Sequence, residues 1–158
     1  MVYKVQVIVL YGLLLSITII GALAQETSAD PVSYTMESPE IVEVGKPFSI
    51  TTVFNIKPEW YVYAPIDMNI SQGKIPTKVT FKVPEGIKKI EELKLPDPNS
   101  FFDMYHGNGI RMSQRFLVEK NRSQDLRVIK ANIVYQACND YICYPPVSKE
   151  VNVVITIE

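Results

Sequence analysis

The sequence has few residues that bind metals, with only two cysteines and one histidine among 158 residues. The histidine, His106, lies far from Cys138 and Cys143 along the chain. A structural zinc site needs four ligands, and these three residues do not supply them. We therefore expect neither a metal site nor a small-molecule cofactor.

The sequence also lacks a run of basic residues. Its 16 lysines and arginines are balanced by 17 aspartates and glutamates, and the net charge is −1. Proteins that bind nucleic acid present a basic patch or stripe, so this charge distribution argues against a nucleic-acid partner. Hydrophobic residues make up 47% of the chain, which is enough for a packed core, and the length suits one domain.

A long apolar run opens the chain. Residues 5–20 are almost wholly apolar, a lysine precedes them, and Ala22 and Ala24 supply the small residues that a signal peptidase recognises. We expect residues 1–24 to be a signal peptide cleaved after Ala24, followed by a flexible leader over residues 25–31. An uncleaved membrane anchor is the alternative, since the run is about long enough to span a bilayer. The remaining chain would work in an exported, oxidising compartment.

Beyond residue 31, the sequence lacks the apolar period of 3.6 residues that marks an amphipathic helix. Alternation with a period of two is common instead, and it is clearest at Phe48, Ile50, Thr52, Phe54 and Ile56. Strands are expected over residues 32–37, 41–44, 48–56, 60–63, 79–83, 87–95, 110–119, 126–135 and 147–157. Short strands separated by turn residues predict an all-β, immunoglobulin-like β-sandwich as a single domain over residues 32–158.

The two cysteines, Cys138 and Cys143, are separated by four residues and followed by Tyr144 and a double proline. A continuous strand would hold them roughly 16 Å apart. A disulfide needs Cα atoms within about 7 Å, so the pair can bond only if the chain turns back between them. Asn139 and Asp140 are turn-forming residues and suit such a reversal.

A disulfide across this short segment is a weak staple for a whole domain. Closing a six-residue loop stabilises a fold by about 2 kcal/mol in the chain-entropy model, against roughly 4.7 for a loop of a hundred residues. Exposed or strained disulfides are also the ones that exchange readily with thiols. The residues alone therefore leave two interpretations equally open, a reactive pair and a local structural staple.

The segments around the cysteines resemble a known family. The runs from Tyr135 to Cys138 and from Cys143 to Pro146 are similar to the active-site segment of the periplasmic N-terminal domain of the thiol:disulfide interchange protein DsbD. Residues 60–63 resemble the aromatic segment beside that active site. Residues 101–107 resemble the cap loop that covers its disulfide. The resemblance extends over essentially all of the chain after the leader, and the family's fold is immunoglobulin-like.

Specific roles for residues follow from this resemblance. It implies that Cys138 and Cys143 are the catalytic, redox-active pair, that Cys143 forms the mixed disulfide with a partner, and that Cys138 completes the exchange. It also implies a cap loop whose aromatic tip, Tyr105, lies over the sulfurs of this C-x4-C loop. The residues that would line or cap the site are Tyr61, Tyr63, Asp103, Tyr105 and His106.

The resemblance also implies a location and partners. The protein would work in the periplasm and pass electrons to oxidised exported proteins. Its partners would be thioredoxin-like redox proteins and a membrane-embedded electron donor encoded separately, since this sequence ends at Glu158 without such a domain. A different function is an immunoglobulin-like envelope binding module without enzymatic activity, in which Cys138 and Cys143 form only a local structural disulfide.

Three positions depart from the family pattern. Four residues separate Cys138 from Cys143 where five are usual, Met104 stands at the second of two acidic cap positions, and His106 replaces a tyrosine. The shorter spacing predicts a different loop geometry between the cysteines. Met104 leaves Asp103 as the single carboxylate at this point of the cap.

Overall fold

The structure is a computed structural model that describes residues 30–98, 103–120 and 125–158. The predicted signal peptide, residues 25–29 of the leader, and residues 101–102 of the predicted cap loop lie outside the described residues. None of the helices within the described ranges is long and apolar enough to cross a membrane.

Two four-stranded sheets and a two-stranded ribbon make up the domain. The elements in chain order are β1 (Val32–Glu37), β2 (Ile41–Val42), β3 (Pro47–Ile56), β4 (Val62–Tyr63), α1 (Asp67–Ser71), β5 (Lys78–Lys82), β6 (Ile87–Lys89), β7 (Met104–Tyr105), β8 (Asn108–Val118), β9 (Asp125–Tyr135) and β10 (Val147–Ile157). One sheet has the strand order β1-β3-β8-β6, the other has β2-β10-β9-β5, and β4 pairs with β7. The immunoglobulin-like β-sandwich predicted from the sequence is confirmed.

The two sheets pack face to face because alternate residues of their strands are apolar. In β9 the buried side chains are Ile129, Ala131, Ile133 and Tyr135, which recur with a period of two. Aromatic contacts cross the core, with the ring of Phe81 on β5 5.2 Å from that of Phe116 on β8. Each large apolar side chain buried in this way stabilises the fold by about 1.5–3 kcal/mol.

The segment predicted as a strand over residues 87–95 is shorter in the structure. Only Ile87–Lys89 pairs regularly with β8. Glu91 then takes a φ of 139°, which is unfavourable for a residue with a side chain and interrupts the strand. The chain returns to β8 at one point, where Lys94 and Ser113 exchange two backbone hydrogen bonds of 2.8 and 3.0 Å.

The cysteines lie in the connection between the two longest neighbouring strands. Val147 at the start of β10 pairs with Tyr135 at the end of β9, so residues 136–146 project from one end of the sandwich. The described chain begins at the same end, where the Tyr135 hydroxyl donates a hydrogen bond to the Asp30 carboxylate. Burial and this bond raise the pKa of Tyr135. The sandwich thus supplies a rigid base for the cysteine loop.

Candidate redox site

The cysteine loop is a tight hairpin closed by backbone hydrogen bonds and a disulfide. Asn139 donates its N–H to the carbonyl of Ile142 at 2.9 Å. Cys138 and Cys143 face each other across the hairpin as an antiparallel bridge, with Cα atoms 4.0 Å apart and their sulfurs bonded. The reversal that the spacing required is therefore present.

The side chain of Asn139 completes the turn. Its Oδ1 accepts hydrogen bonds from the backbone N–H groups of Tyr141 and Ile142, both at 2.9 Å. Asparagine side chains stabilise turns in this way by replacing a backbone acceptor. The prediction of a turn at Asn139 and Asp140 is confirmed, and the side-chain bonds explain why the loop closes over only four residues.

The two cysteines differ in their access to solvent. Cys138 is fully buried, at 0% exposure, whereas Cys143 is exposed. The backbone of Cys138 also exchanges two hydrogen bonds with that of Tyr61, of 2.9 and 3.0 Å. The backbone of Cys138 is thus covered by Tyr61, and it is Cys143 that solvent reaches.

Aromatic side chains form one face beside Cys138. The ring of Tyr61 lies 5.5 Å from that of Tyr63 and 5.6 Å from that of His106, measured between centroids. Residues paired across antiparallel strands point to the same side, so Tyr61 and Cys138 share a face. The Lys74 ammonium lies 4.4 Å from the centroid of the Tyr63 ring, a cation–π contact. The structure therefore brings together the predicted residues Tyr61, Tyr63 and His106.

A second aromatic contact joins Trp60 to Tyr144, the residue that follows Cys143. The rings of Trp60 and Tyr144 lie 4.7 Å apart. The side-chain amide of Gln136 donates a hydrogen bond to the carbonyl of Tyr144 at 2.9 Å, and Tyr144 donates its N–H to Ala137 at 2.8 Å. The residues on both sides of the cysteines are therefore fixed to one another, independently of the disulfide.

Tyr105 lies on the opposite face from the one predicted. It pairs with Val62 in the β4–β7 ribbon, so both side chains point into the core, and Tyr105 is 2% exposed. Its hydroxyl donates a hydrogen bond to the Pro96 carbonyl at 3.1 Å. The neighbouring His106 follows the end of β7, and its ring lies on the side of Tyr61, 5.6 Å away between centroids. This arrangement differs from the expected position of Tyr105 over the sulfurs, and it is His106 whose ring lies beside Tyr61.

Asp103 fixes the start of β7 through its backbone. It adopts a left-handed conformation with a φ of 54°. Its carbonyl accepts hydrogen bonds from the Ala64 N–H and from Asn69 Nδ2, both at 2.9 Å. Asn69 is 2% exposed and also donates to the Ala64 carbonyl at 2.9 Å. Sequence reasoning missed Asn69, because a buried asparagine on a five-residue helix has no periodic signal.

Burial raises the pKa values of two tyrosines in this region, Tyr61 and Tyr105. Burial raises the pKa of Tyr61 to about 12, and a hydrogen bond with Tyr63 and the nearby charge of Asp140 add to the effect. Burial, together with the charge of Asp97, also raises the pKa of Tyr105 to about 12. Tyr61 is therefore a hydrogen-bond donor, directed at the Asn139 carbonyl 3.4 Å away, and a poor base near neutral pH.

These raised pKa values predict a loss of stability in alkali. An unfolded tyrosine ionises near pH 10, whereas folded Tyr61 and Tyr105 ionise at about 12. The contribution of these two shifts to the free energy of unfolding is fully present below about pH 10, and it is lost as the pH rises toward about 12. We expect the urea midpoint to fall across this window, and to fall less steeply in Tyr105→Phe. A midpoint that stays constant up to about pH 11.5 would contradict the prediction.

Metal binding finds no support in the described part of the chain. Within residues 30–98, 103–120 and 125–158, no three or more histidine, cysteine, aspartate or glutamate side chains are grouped so that they could hold a metal ion. The chemistry that the arrangement offers is that of its disulfide.

The fold and the hairpin together define an immunoglobulin-like domain that carries a disulfide with one buried and one exposed cysteine. The family model described as thiol:disulfide interchange protein DsbD, N-terminal, matches residues 34–155. The chain therefore belongs to this family of periplasmic domains, whose general activity is thiol:disulfide exchange. A search of the curated proteins found no match.

Several solved structures are similar to the chain at low identity. The N-terminal domain of DsbD from Neisseria meningitidis in its reduced form shares 19% identity, covering 78% of this chain and 89% of that one, with a TM-score of 0.31. A chain in the complex between the DsbD and PilB N-terminal domains of the same organism shares 22% identity, covering 75% of this chain and 80% of that one, with a TM-score of 0.34. The GAE domain of GGA2p from Saccharomyces cerevisiae shares 14% identity, covering 81% of this chain and 90% of that one, with a TM-score of 0.38.

Proposed function

We propose that this protein is an exported thiol:disulfide exchange module that reduces disulfides of other exported proteins through Cys138 and Cys143. The observation that carries the proposal is the contrast between an exposed Cys143 and a fully buried Cys138 in one disulfide. Exchange needs one sulfur that meets the partner and a second that waits beside it. This hairpin has that arrangement.

The proposed exchange moves two electrons to the partner. The Cys143 thiolate attacks one sulfur of the partner disulfide and forms a mixed disulfide, which releases the partner's other sulfur as a thiolate that takes up a proton. The Cys138 thiol then loses its proton and attacks Cys143, which forms the Cys138–Cys143 disulfide and frees the second partner thiol. A thioredoxin-like or membrane-embedded donor would return two electrons and two protons to the pair.

The aromatic face would limit access to the pair between encounters. Tyr61, Tyr63 and His106 lie beside Cys138, and the Asp103 backbone holds the start of β7, the strand that His106 follows. We assign these residues to lining the site. For Tyr61 proton transfer is disfavoured, because its raised pKa keeps the hydroxyl neutral. Tyr105 supports this face from the core side.

Trapping of a mixed disulfide tests the proposal. Reduced Cys138→Ser keeps the exposed sulfur and loses the resolving one, so it should accumulate a covalent complex with an oxidised thioredoxin-like protein. Cys143→Ser is the matched control, because its remaining sulfur is buried, and it should accumulate little or none. Non-reducing gel electrophoresis and mass spectrometry measure the complex.

Two results would favour the alternative, a binding module with a local structural disulfide. One is the absence of any complex with Cys138→Ser while the variant remains folded. The other is a reduction potential for the wild-type pair below about −300 mV, which is typical of structural disulfides.

A further inference from the structure

Asn139 takes an unusual part in the hairpin. In a turn of two central residues, the N–H of the fourth residue ordinarily donates to the backbone carbonyl of the first. Here the Ile142 N–H donates to Oδ1 of the Asn139 side chain at 2.9 Å. The carbonyl of Asn139 is thereby left to accept the hydroxyl of Tyr61 at 3.4 Å. One side chain thus replaces the bond that would close the turn, and it holds the Tyr141 N–H as well.

Within the turn, the two bonds to Asn139 Oδ1 act beside one backbone bond, from the Asn139 N–H to the Ile142 carbonyl at 2.9 Å. Tyr141 is 92% exposed and Ile142 50% exposed, so neither side chain packs into the core. Asp140 is exposed too. In the disulfide form the covalent bond holds Cys143 beside Cys138. Once the bond is reduced, the hydrogen bonds of the turn and the flanking bonds of Tyr144 to Ala137 and Gln136 must hold the two sulfurs together.

We propose that Asn139 is a positioning residue that keeps the loop closed in the dithiol form and thereby sets the reduction potential of the pair. The inference deepens the proposed function, since the potential decides which partners the pair can reduce. Hydrogen bonds that need the closed loop favour the disulfide, and the disulfide favours those hydrogen bonds to the same degree. Loss of the Asn139 acceptor therefore makes the disulfide harder to form.

Equilibration with glutathione measures the effect without any protein partner. Two molecules of reduced glutathione and the protein disulfide give the protein dithiol and one molecule of oxidised glutathione, so two electrons and two protons pass to the protein. In Asn139→Ala we expect about a tenfold fall in the equilibrium constant for forming the protein disulfide. This corresponds to a potential about 30 mV less negative.

Two further variants separate positioning from general damage to the loop. Asn139→Asp keeps an acceptor oxygen at the same place and should have a potential close to that of the wild type. Tyr141→Ala removes a neighbouring side chain that is 92% exposed and keeps the backbone bonds of the turn, so it should also leave the potential near its original value. Thermal unfolding of both redox forms shows whether each variant is folded.

The outcomes are distinct. A folded Asn139→Ala with an unchanged potential would overturn the proposal, as would an Asn139→Asp variant that shifts as far as Asn139→Ala. Hydrogen exchange of the Ile142 amide in the reduced protein gives a second measurement, and it should be faster in Asn139→Ala. None of these results depends on the trapping of a partner. A failure of exchange with partners therefore leaves this test intact, and the reverse also holds.

Discussion

Replacement of Tyr105 by alanine is expected to lower the free energy of unfolding by about 3–5 kcal/mol, the usual cost of removing a large buried aromatic side chain. Tyr105 is 2% exposed, its ring belongs to the core, and its hydroxyl bonds to the Pro96 carbonyl. Tyr105→Phe keeps the ring and loses one hydrogen bond, so it should cost only about 1 kcal/mol. Urea unfolding followed by circular dichroism measures both losses.

His106→Ala is the matched control, because His106 directly follows Tyr105 and its ring lies on the other face, against Tyr61. The His106 ring is half-buried and contacts Tyr61, so its removal should cost little stability. It should nevertheless speed the reduction of the disulfide by a small thiol, because it opens the face beside Cys138. If Tyr105→Ala instead speeds this reaction and leaves the urea midpoint unchanged, Tyr105 covers the sulfurs and the assignment of faces is reversed.

The pairing of the cysteines and the sandwich itself could be predicted from sequence. The long strands β3, β8, β9 and β10 alternate over ten or eleven residues, so their apolar faces are fixed by many side chains at once. The reversal between Cys138 and Cys143 was predicted as the condition for a bond, since an extended chain holds their Cα atoms too far apart for a disulfide.

The face on which each cap residue lies could not be predicted in the same way. β7 has only two residues, and a shift of one residue exchanges the sides of Tyr105 and His106. Its register is set by tertiary contacts, namely the pairing with β4 and the two hydrogen bonds that the Asp103 carbonyl accepts. Resemblance to a family gives the order of aromatic residues but not their direction.

The role of the Asn139 side chain was also beyond the sequence. Asparagine favours turns for several reasons, and residue type does not say which backbone groups its Oδ1 accepts. The three-dimensional turn shows that the side chain closes the loop, whereas the neighbouring Asp140 is exposed. The loop between the cysteines, one residue shorter than is usual in the family, is therefore closed by the two hydrogen bonds that Asn139 Oδ1 accepts.

Alkylation of the reduced protein should distinguish the two cysteines by a large factor. Cys143 is exposed and should react with iodoacetamide nearly as fast as a free thiol of the same pKa. Cys138 is 0% exposed, and both its N–H and its carbonyl are hydrogen-bonded to the backbone of Tyr61. Its thiol should therefore react only after local opening. An opening that costs about 3 kcal/mol slows its alkylation about a hundredfold relative to Cys143.

Mass spectrometry of peptides taken at short reaction times measures the two rates in one sample. Cys138→Ser and Cys143→Ser give each rate separately and exclude an effect of the first alkylation on the second. Full unfolding in denaturant should bring the two rates close together, because burial and not sequence sets the difference. Equal rates in the folded, reduced protein would mean that Cys138 is accessible without local opening. The assignment of Cys143 as the sulfur that attacks the partner disulfide would then be contradicted.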